Sequence, residues 1–367
     1  MHLLQEGQQI NNVYVVERFL GEGAFAEVYR VRHRFMGRQA MKVFKAIGLG
    51  IKDIEQMLGE ATTLSQIGHP NVIRVYDANV FKEEDSLHGY FTMEYIAGGS
   101  LDSFWKSFGM KLMPIETAVD VLRQSARGLS VAHSEKPPII HRDIKPQNIL
   151  VGYDCNGLRV VVSDFGLAKR ANPLTLMVSA KGTRIMKAPE TFKDYQSDSC
   201  AGDVWALGCT LYLLLTDRFP FSEPGTLELI DEYSFERPLI PPSQLNLTVD
   251  ASLDQIILRC LALEPKARYR SAKELLADLE KWKPQKEDKK EAAIAVASSS
   301  AKSALGELSS LNQQKALEMA ERAQRLARRV EKLSEAADLM EEACNKWPEL
   351  REEHEYKITL WRRGIMG

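Results

Sequence analysis

The sequence predicts an α+β chain of two lobes, a small β-rich one and then a larger helical one, followed by a helical extension at the C-terminus. Three observations carry this. Between residues 12 and 100, short runs of β-branched and aromatic residues are separated by turn signals. From about residue 114, apolar residues recur at helical spacing over long segments. Near residue 284 the composition shifts to Lys, Glu, Ala and Ser, and a second periodic pattern begins beyond it.

Val13 to Val16, Glu27 to Val31 and Ala40 to Phe44 read as strands. Ile54, Met57, Leu58, Ala61 and Leu64 share one face of a helix over 53–67, which ends before Gly68-His69-Pro70. Two more strands bracket 72–81 and 90–95, with the polar stretch Lys82 to Gly89 as a loop between them. Residues 115–133 and 200–215 predict long helices, and 251–262 and 271–282 shorter ones, punctuated by Pro241-Pro242 and Glu264-Pro265. The two lobes, about 12–96 and 97–283, form one domain over 1–283. Residues 284–310, with Ser298-Ser299-Ser300, read as a flexible linker. In the helical region 311–367, Ala316, Met319, Ala323, Leu326, Val330, Leu333, Ala337, Met340, Cys344 and Trp347 alternate by three and four. That stripe predicts one continuous helix of about thirty residues, with a shorter helix after Pro348. Three arrangements fit it: packing on the rest of the chain, a coiled-coil homodimer, or a degenerate helical repeat. Each would suit a regulator or a docking element for a partner.

Composition excludes several functions. A net charge of −2 over 367 residues supplies no field for nucleic acid or a membrane surface. The apolar runs, such as Leu211 to Leu215, are too short to span a bilayer. Met1 to Glu6 lack the basic and apolar regions of a signal peptide. The five cysteines are odd in number and form no C-x-x-C pair, which argues against a disulfide framework or a zinc site and for a cytoplasmic location.

The chemistry concentrates in His141-Arg142-Asp143-Ile144-Lys145-Pro146-Gln147-Asn148 and in Asp164-Phe165-Gly166. Asp143 can accept the proton of an attacking hydroxyl. Lys145 can neutralise charge growing on a transferred phosphoryl group. Asn148 and Asp164 offer the oxygen ligands that Mg²⁺ prefers. His141 is a second candidate base, although a core histidine that seats the loop explains it better. Upstream, Gly21-Glu22-Gly23-Ala24-Phe25-Ala26-Glu27-Val28 lies between two strands, where glycines let the backbone approach a triphosphate. An ordinary glycine hairpin would look the same in isolation. Lys42 sits inside an apolar strand. Mid-strand lysines usually point to solvent, but Glu60 on the next helix offers an ion pair that would hold Lys42 toward phosphate oxygens.

Over residues 12–283 the chain resembles a eukaryotic-type (Hanks-type) protein Ser/Thr kinase, in the compact form of the bacterial members. The resemblance implies the bilobal kinase fold, and ATP and Mg²⁺ as cofactors, with Mn²⁺ as a substitute. Gly21, Gly23 and Val28 match the phosphate-covering loop, Lys42 the lysine on the α/β-phosphates and Glu60 its helical partner. Asp143 matches the catalytic base, Asn148 and Asp164 the Mg²⁺ ligands, and Ala188-Pro189-Glu190 the end of the activation segment, with Arg268 placed to pair with Glu190. Asp203 to Gly208 match the central helix of the large lobe. Met93 is implied as the gatekeeper, Glu94 and Ile96 as hinge contacts to adenine, and Val28, Ala40 and Leu150 as the residues that sandwich the base. Lys145-Pro146 resembles Ser/Thr rather than Tyr kinases, so the implied partner is a protein substrate. Thr175 and Ser179 are the implied phosphorylation sites, with Arg142 and Lys169 as their cationic pocket, and Thr183 is implied to contact Asp143 and Lys145.

The chain departs from the pattern in places. Ala26 replaces the third glycine of the loop, and Arg184 and Met186 replace the usual proline and tyrosine beside the substrate site. Ser100 stands where kinases that prefer basic substrates carry an acid. An alternative reading is a pseudokinase-like scaffold that binds partners through its C-terminal helices.

Overall fold

The computed structural model describes residues 2–23, 26–45, 58–59, 67–83, 86–109, 112–165, 184–194, 197–222, 232–284, 305–347 and 349–366. Strands β1 (Gln9–Ile10), β2 (Tyr14–Glu22), β3 (Ala26–His33), β4 (Gly37–Phe44), β5 (Val75–Glu83) and β6 (Ser86–Glu94) form an antiparallel sheet in the order β1-β2-β3-β4-β6-β5. Side chains alternate across a strand, so Ala40, Lys42 and Phe44 of β4 share one face and Met41 and Val43 the other. Val28 pairs with Lys42, and Met93 with Ala40, on that first face. The opposite face has its own buried cluster, which includes Tyr14, Tyr29, Val31, Met41, Val43 and Tyr90.

The polar stretch 82–89 is not a loop throughout. β5 runs to Glu83 and β6 begins at Ser86, with Phe81 opposite His88 and Lys82 opposite Leu87. Phe81 and His88 are buried and stacked, which anchors the hairpin, and strand pairing overrides the local polarity of the sequence. Of the helix expected over 53–67, only Leu58 and Gly59, which are helical, and Ile67 fall within the described residues.

The helical lobe follows with α1 (Leu101–Lys106), α2 (Ile115–Ser134), the hairpin β7 (Ile149–Asp154) and β8 (Gly157–Val162), then α3 (Glu190–Lys193), α4 (Cys200–Thr216), α5 (Pro242–Leu245), α6 (Ala251–Cys260) and α7 (Ala272–Lys281). α4 is buried from Asp203 to Thr216 and forms the centre of the lobe. Ser199 caps it by accepting from the Gly202 N–H, and Asp217 ends it in the left-handed conformation. α2 buries Val119, Leu122, Ala126 and Leu129 along one stripe and packs on α4 and α7. Two close approaches position the cleft. A Cβ on Gly128 would lie 2.4 Å from the Asn71 carbonyl, and one on Gly98 would lie 2.1 Å from the Val151 carbonyl. Only glycine lets α2 reach the Asn71 turn, or β7 reach the segment joining the lobes.

Beyond the lobes lie α8 (Leu305–Leu326), α9 (Leu333–Lys346) and α10 (Glu349–Arg362). The continuous helix expected over 316–347 is broken by a turn at 327–332, and α8 instead packs against α9. Ala316, Ala320, Ala323 and Ala327 meet Leu333, Ala336, Ala337, Met340 and Ala343 in a shared core. A stripe of small residues suits close helix packing equally in a straight helix or a folded pair, so its period does not reveal the bend. Val330, inside the expected stripe, is 58% exposed at the turn. α8 also starts at Leu305, within the stretch expected to be linker. No helix among the described residues is long and apolar enough to cross a membrane.

Candidate active site

The segment between α2 and β7 is organised from beneath by α4. Asp203, in the first turn of α4, is 3% exposed and accepts from the His141 N–H at 2.7 Å, the Arg142 N–H at 2.9 Å and His133 Nε2 at 3.0 Å. Burial by itself would raise the Asp203 pKa, but His133 and the His141 contacts outweigh it and hold the carboxyl below its ordinary value. His133 Nδ1 accepts from the Ala272 N–H at 3.2 Å, which makes Nε2 the protonated nitrogen that faces Asp203. Two backbone N–H groups bonded to one carboxylate hold Arg142 at φ +66°, a conformation that costs a non-glycine residue about 1 kcal/mol or more. Asp203 is the functional residue that sequence reasoning undervalued, since it entered only as part of the helix motif. The signal was present: an acid inside an otherwise apolar helix needs buried donors.

His141 is fully buried. Its Nε2 donates to the Ser163 carbonyl at 2.8 Å, its Nδ1 lies 3.3 Å from the Asp143 N–H, and its ring packs on Phe165. Burial lowers its pKa, so the imidazole stays neutral and links the Asp143 loop to the segment carrying Asp164. The Asp143 carboxylate accepts from Lys145 Nζ at 3.0 Å and from Asn148 Nδ2 at 3.2 Å, and Asn148 Nδ2 also donates to the Asp143 carbonyl at 2.8 Å. These contacts orient the Asn148 amide with Oδ1 as its remaining oxygen. Facing this loop, Lys42 of β4 donates from Nζ to Asp164 Oδ1 at 2.7 Å, and Asp164 is itself left-handed at φ +56°. Glu60, the partner expected for Lys42, lies outside the described residues.

The face of the sheet that carries Lys42 also carries Val28, Ala40 and Met93, and Leu150 lies on β7. At the end of β6 the Glu94 N–H donates to the Arg74 carbonyl at 2.9 Å, and between β6 and α1 the Ile96 carbonyl accepts from the Gly99 N–H at 3.2 Å. The Glu94 side chain is held by Arg159 of β8, at 2.9 Å. A Cβ on Gly21 would meet nothing within 4 Å among the described residues, so none of their contacts requires glycine there.

Around the entrance, Arg268 is 1% exposed and makes two 2.7 Å bonds to Glu190, while its guanidinium lies over the Trp205 ring. Arg142 meets Asp198 at 3.4 Å, and Lys187 donates to the Arg142 carbonyl at 2.8 Å. Met186 is buried, and together with Ile144, Ala188 and Ala206 it lines a small cavity beneath Asp143. Lys169, Thr175, Ser179 and Thr183 lie outside the described residues.

Among the described residues no three His, Cys, Asp or Glu side chains gather as a metal cage. One carboxylate and one amide suit Mg²⁺, which retains water and substrate oxygens as its other ligands.

The chain is 33% identical over 285 residues to a probable serine/threonine-protein kinase of Clostridium perfringens, a match that covers 76% of this chain and 39% of that protein. It is 30% identical over 275 residues to the serine/threonine-protein kinase PknB of Mycobacterium leprae, covering 74% of this chain and 43% of that one. The chain therefore spans less than half the length of these relatives. Its fold is similar to the crystal structure of the Mycobacterium tuberculosis PknI kinase domain, with a TM-score of 0.56, 25% identity, and coverage of 76% of this chain and 98% of that one. The family model for the protein kinase domain matches residues 14–279, so it runs from the β-sheet through the Asp203 anchor to α7. Sequence and architecture thus agree across both lobes, and the chain belongs to the protein kinase domain family.

Proposed function

We propose that the chain is an ATP- and Mg²⁺-dependent protein Ser/Thr kinase, located in the cytoplasm and acting on Ser and Thr hydroxyls of proteins. One observation carries this reading. The helical lobe contributes two restrained carboxylates, Asp143 held by Lys145 and Asn148, and Asp164 held by Lys42 from the sheet of the small lobe. Asp143 orients the acceptor hydroxyl and takes its proton. Lys145, 3.0 Å from that carboxylate, meets the charge that develops on the transferred group. Asn148 and Asp164 hold Mg²⁺, or Mn²⁺ in its place, which when bound neutralises phosphate charge. Lys42 reaches the α/β-phosphates, and Glu60 is its further partner. Gly21 and Gly23 cover the phosphates. Val28 and Ala40 above and Leu150 below enclose the base, with Met93 behind it. The backbone groups of Glu94 and Ile96 are the hinge contacts offered to adenine. Thr175 and Ser179 are the proposed autophosphorylation sites, and a phosphate near Arg142 would compete with Asp198.

The test is phosphate incorporation from radiolabelled ATP into a generic protein acceptor, with and without Mg²⁺. Asp143→Asn should lower it by roughly 10²–10⁴-fold, the range for loss of a general base, in a chain that stays folded. Full activity in that variant would remove Asp143 from its role. No incorporation by the unaltered chain would favour the scaffold reading.

A further inference from the structure

The C-terminal helices lie across the segment that joins the lobes. Glu342 of α9, 8% exposed, accepts at Oε1 from the Tyr95 hydroxyl at 2.6 Å and from Arg30 at 2.8 Å, with Arg18 at 3.0 Å. Arg18 also donates to the Tyr95 oxygen at 3.3 Å. Tyr95 stands between Glu94 and Ile96, the two residues assigned to adenine. Arg18 lies on β2, three residues before Gly21, and Arg30 lies on β3, opposite Ala40. One turn beyond Glu342, Asn345 Nδ2 donates to the Gly98 carbonyl. On the sheet side, Arg38 of β4 reaches Asp338 at 3.4 Å and Glu335 at 3.5 Å.

The same helical unit grips the other lobe. Arg351 of α10 lies over the Phe104 ring of α1 at 4.3 Å, and Arg363 donates to the Cys155 carbonyl at 2.8 Å. Tyr153 of β7 packs into the helices' own core. A rotation of the lobes about residues 95–100 would have to break contacts on one side of this unit. Mere attachment of the helices would not require a buried carboxylate on the connecting tyrosine. Such a carboxylate is stable only while both arginines and the hydroxyl meet it.

We propose that the C-terminal helices form an intramolecular strap over the lobe junction, and that Glu342, through Tyr95, Arg18 and Arg30, is a positioning residue for nucleotide binding. The strap holds the connecting segment and the roof strands in the geometry that receives the base. This inference rests on the nucleotide site proposed above.

The experiment uses the full chain with Glu342→Gln, Tyr95→Phe, the pair combined, and Glu335→Gln as a contact remote from Tyr95. Equilibrium ATP binding is measured alongside KM for ATP and kcat. Glu342→Gln and Tyr95→Phe should each weaken ATP binding about fivefold or more, the lower end of ordinary intersite coupling, while kcat holds within about twofold. The double variant should be no weaker than the worse single, because both remove one contact. Glu335→Gln, which leaves Arg38 its contact to Asp338 and does not touch Tyr95, should weaken ATP binding less than Glu342→Gln does. Unchanged ATP binding in the Glu342 variant, or an equal loss in Glu335→Gln, would overturn the proposal. Lys42→Ala separates the two readings. If it weakens ATP binding while the Glu342 variant does not, the strap fails and the nucleotide site stands. If it leaves ATP binding intact, the nucleotide site itself fails.

Discussion

Replacing Asp203 by asparagine tests whether the active loop is shaped from below. In the native chain Oδ2 receives His133 and the His141 N–H, and Oδ1 receives the Arg142 N–H. An amide has only one acceptor oxygen. With its nitrogen at the Oδ2 position, two donors face an NH₂ group; turned over, it confronts the Arg142 N–H. In either orientation at least one buried backbone N–H loses its partner. A hydrogen bond to a charged group contributes about 1.5–3 kcal/mol, and stranding a buried donor costs about 1–3 kcal/mol, so destabilisation of about 3 kcal/mol is expected. The released loop lets Arg142 leave its left-handed conformation and displaces Asp143 next to it. A displacement on the order of 1 Å reduces turnover by about 10²-fold. Steady-state phosphate transfer should show kcat falling by that order with KM for ATP nearly constant, since the hydrogen-bond partners of Asp203 among the described residues are His133 and the His141 and Arg142 backbone. Thermal unfolding should show the stability loss in parallel. A variant with native kcat would refute the argument, as would one whose KM rises while kcat holds.

Arg268→Met should destabilise the helical lobe by about 3–5 kcal/mol, because it strands Glu190; Arg268→Met with Glu190→Met should recover most of this, as read by denaturant unfolding. Glu341 of α9 is buried beside Arg362, which meets it at 2.7 Å, with Asp338 and the Tyr153 backbone nearby. Burial pushes its carboxyl from 4.5 up to about 7. The folded chain then keeps a proton that the unfolded chain releases, so stability should fall as pH rises from about 4.5 to about 7, by about 3 kcal/mol. Tryptophan fluorescence during denaturant unfolding would follow this, and Glu341→Gln should flatten the pH dependence. Gly98→Ala should disturb the lobe junction, since its Cβ would fall 2.1 Å from the Val151 carbonyl; a lower melting temperature and weaker ATP binding are expected, and native values of both would show that the junction can yield.

Much of this was legible along the chain. The strands of the sheet and helices such as α2 follow from period-2 and period-3.6 patterns, which record the buried side, whereas α4 is buried from Asp203 to Thr216 and is legible from the length of its apolar run. The contacts among Asp143, Lys145 and Asn148 were legible because the three lie within six residues of one another. The hairpin at 82–89 was missed because its strands are stabilised by cross-strand partners rather than by their own composition. The bend at 327–332 was missed because a folded helix pair buries the same stripe as a straight helix would against a partner.

By itself, the sequence determined most element types, though not the hairpin at 82–89 or the bend at 327–332, together with the motif order and the residue chemistry at Asp143 and Asp164, since these depend on local pattern and residue type. Only the tertiary structure decided what meets across long separations: Asp203 beneath the His141 and Arg142 backbone, Lys42 against Asp164, and Glu342 against Tyr95. A carboxylate written in a sequence has no direction, and its partners are set by the packing that excludes water from around it. Packing of that kind is a property of the folded whole.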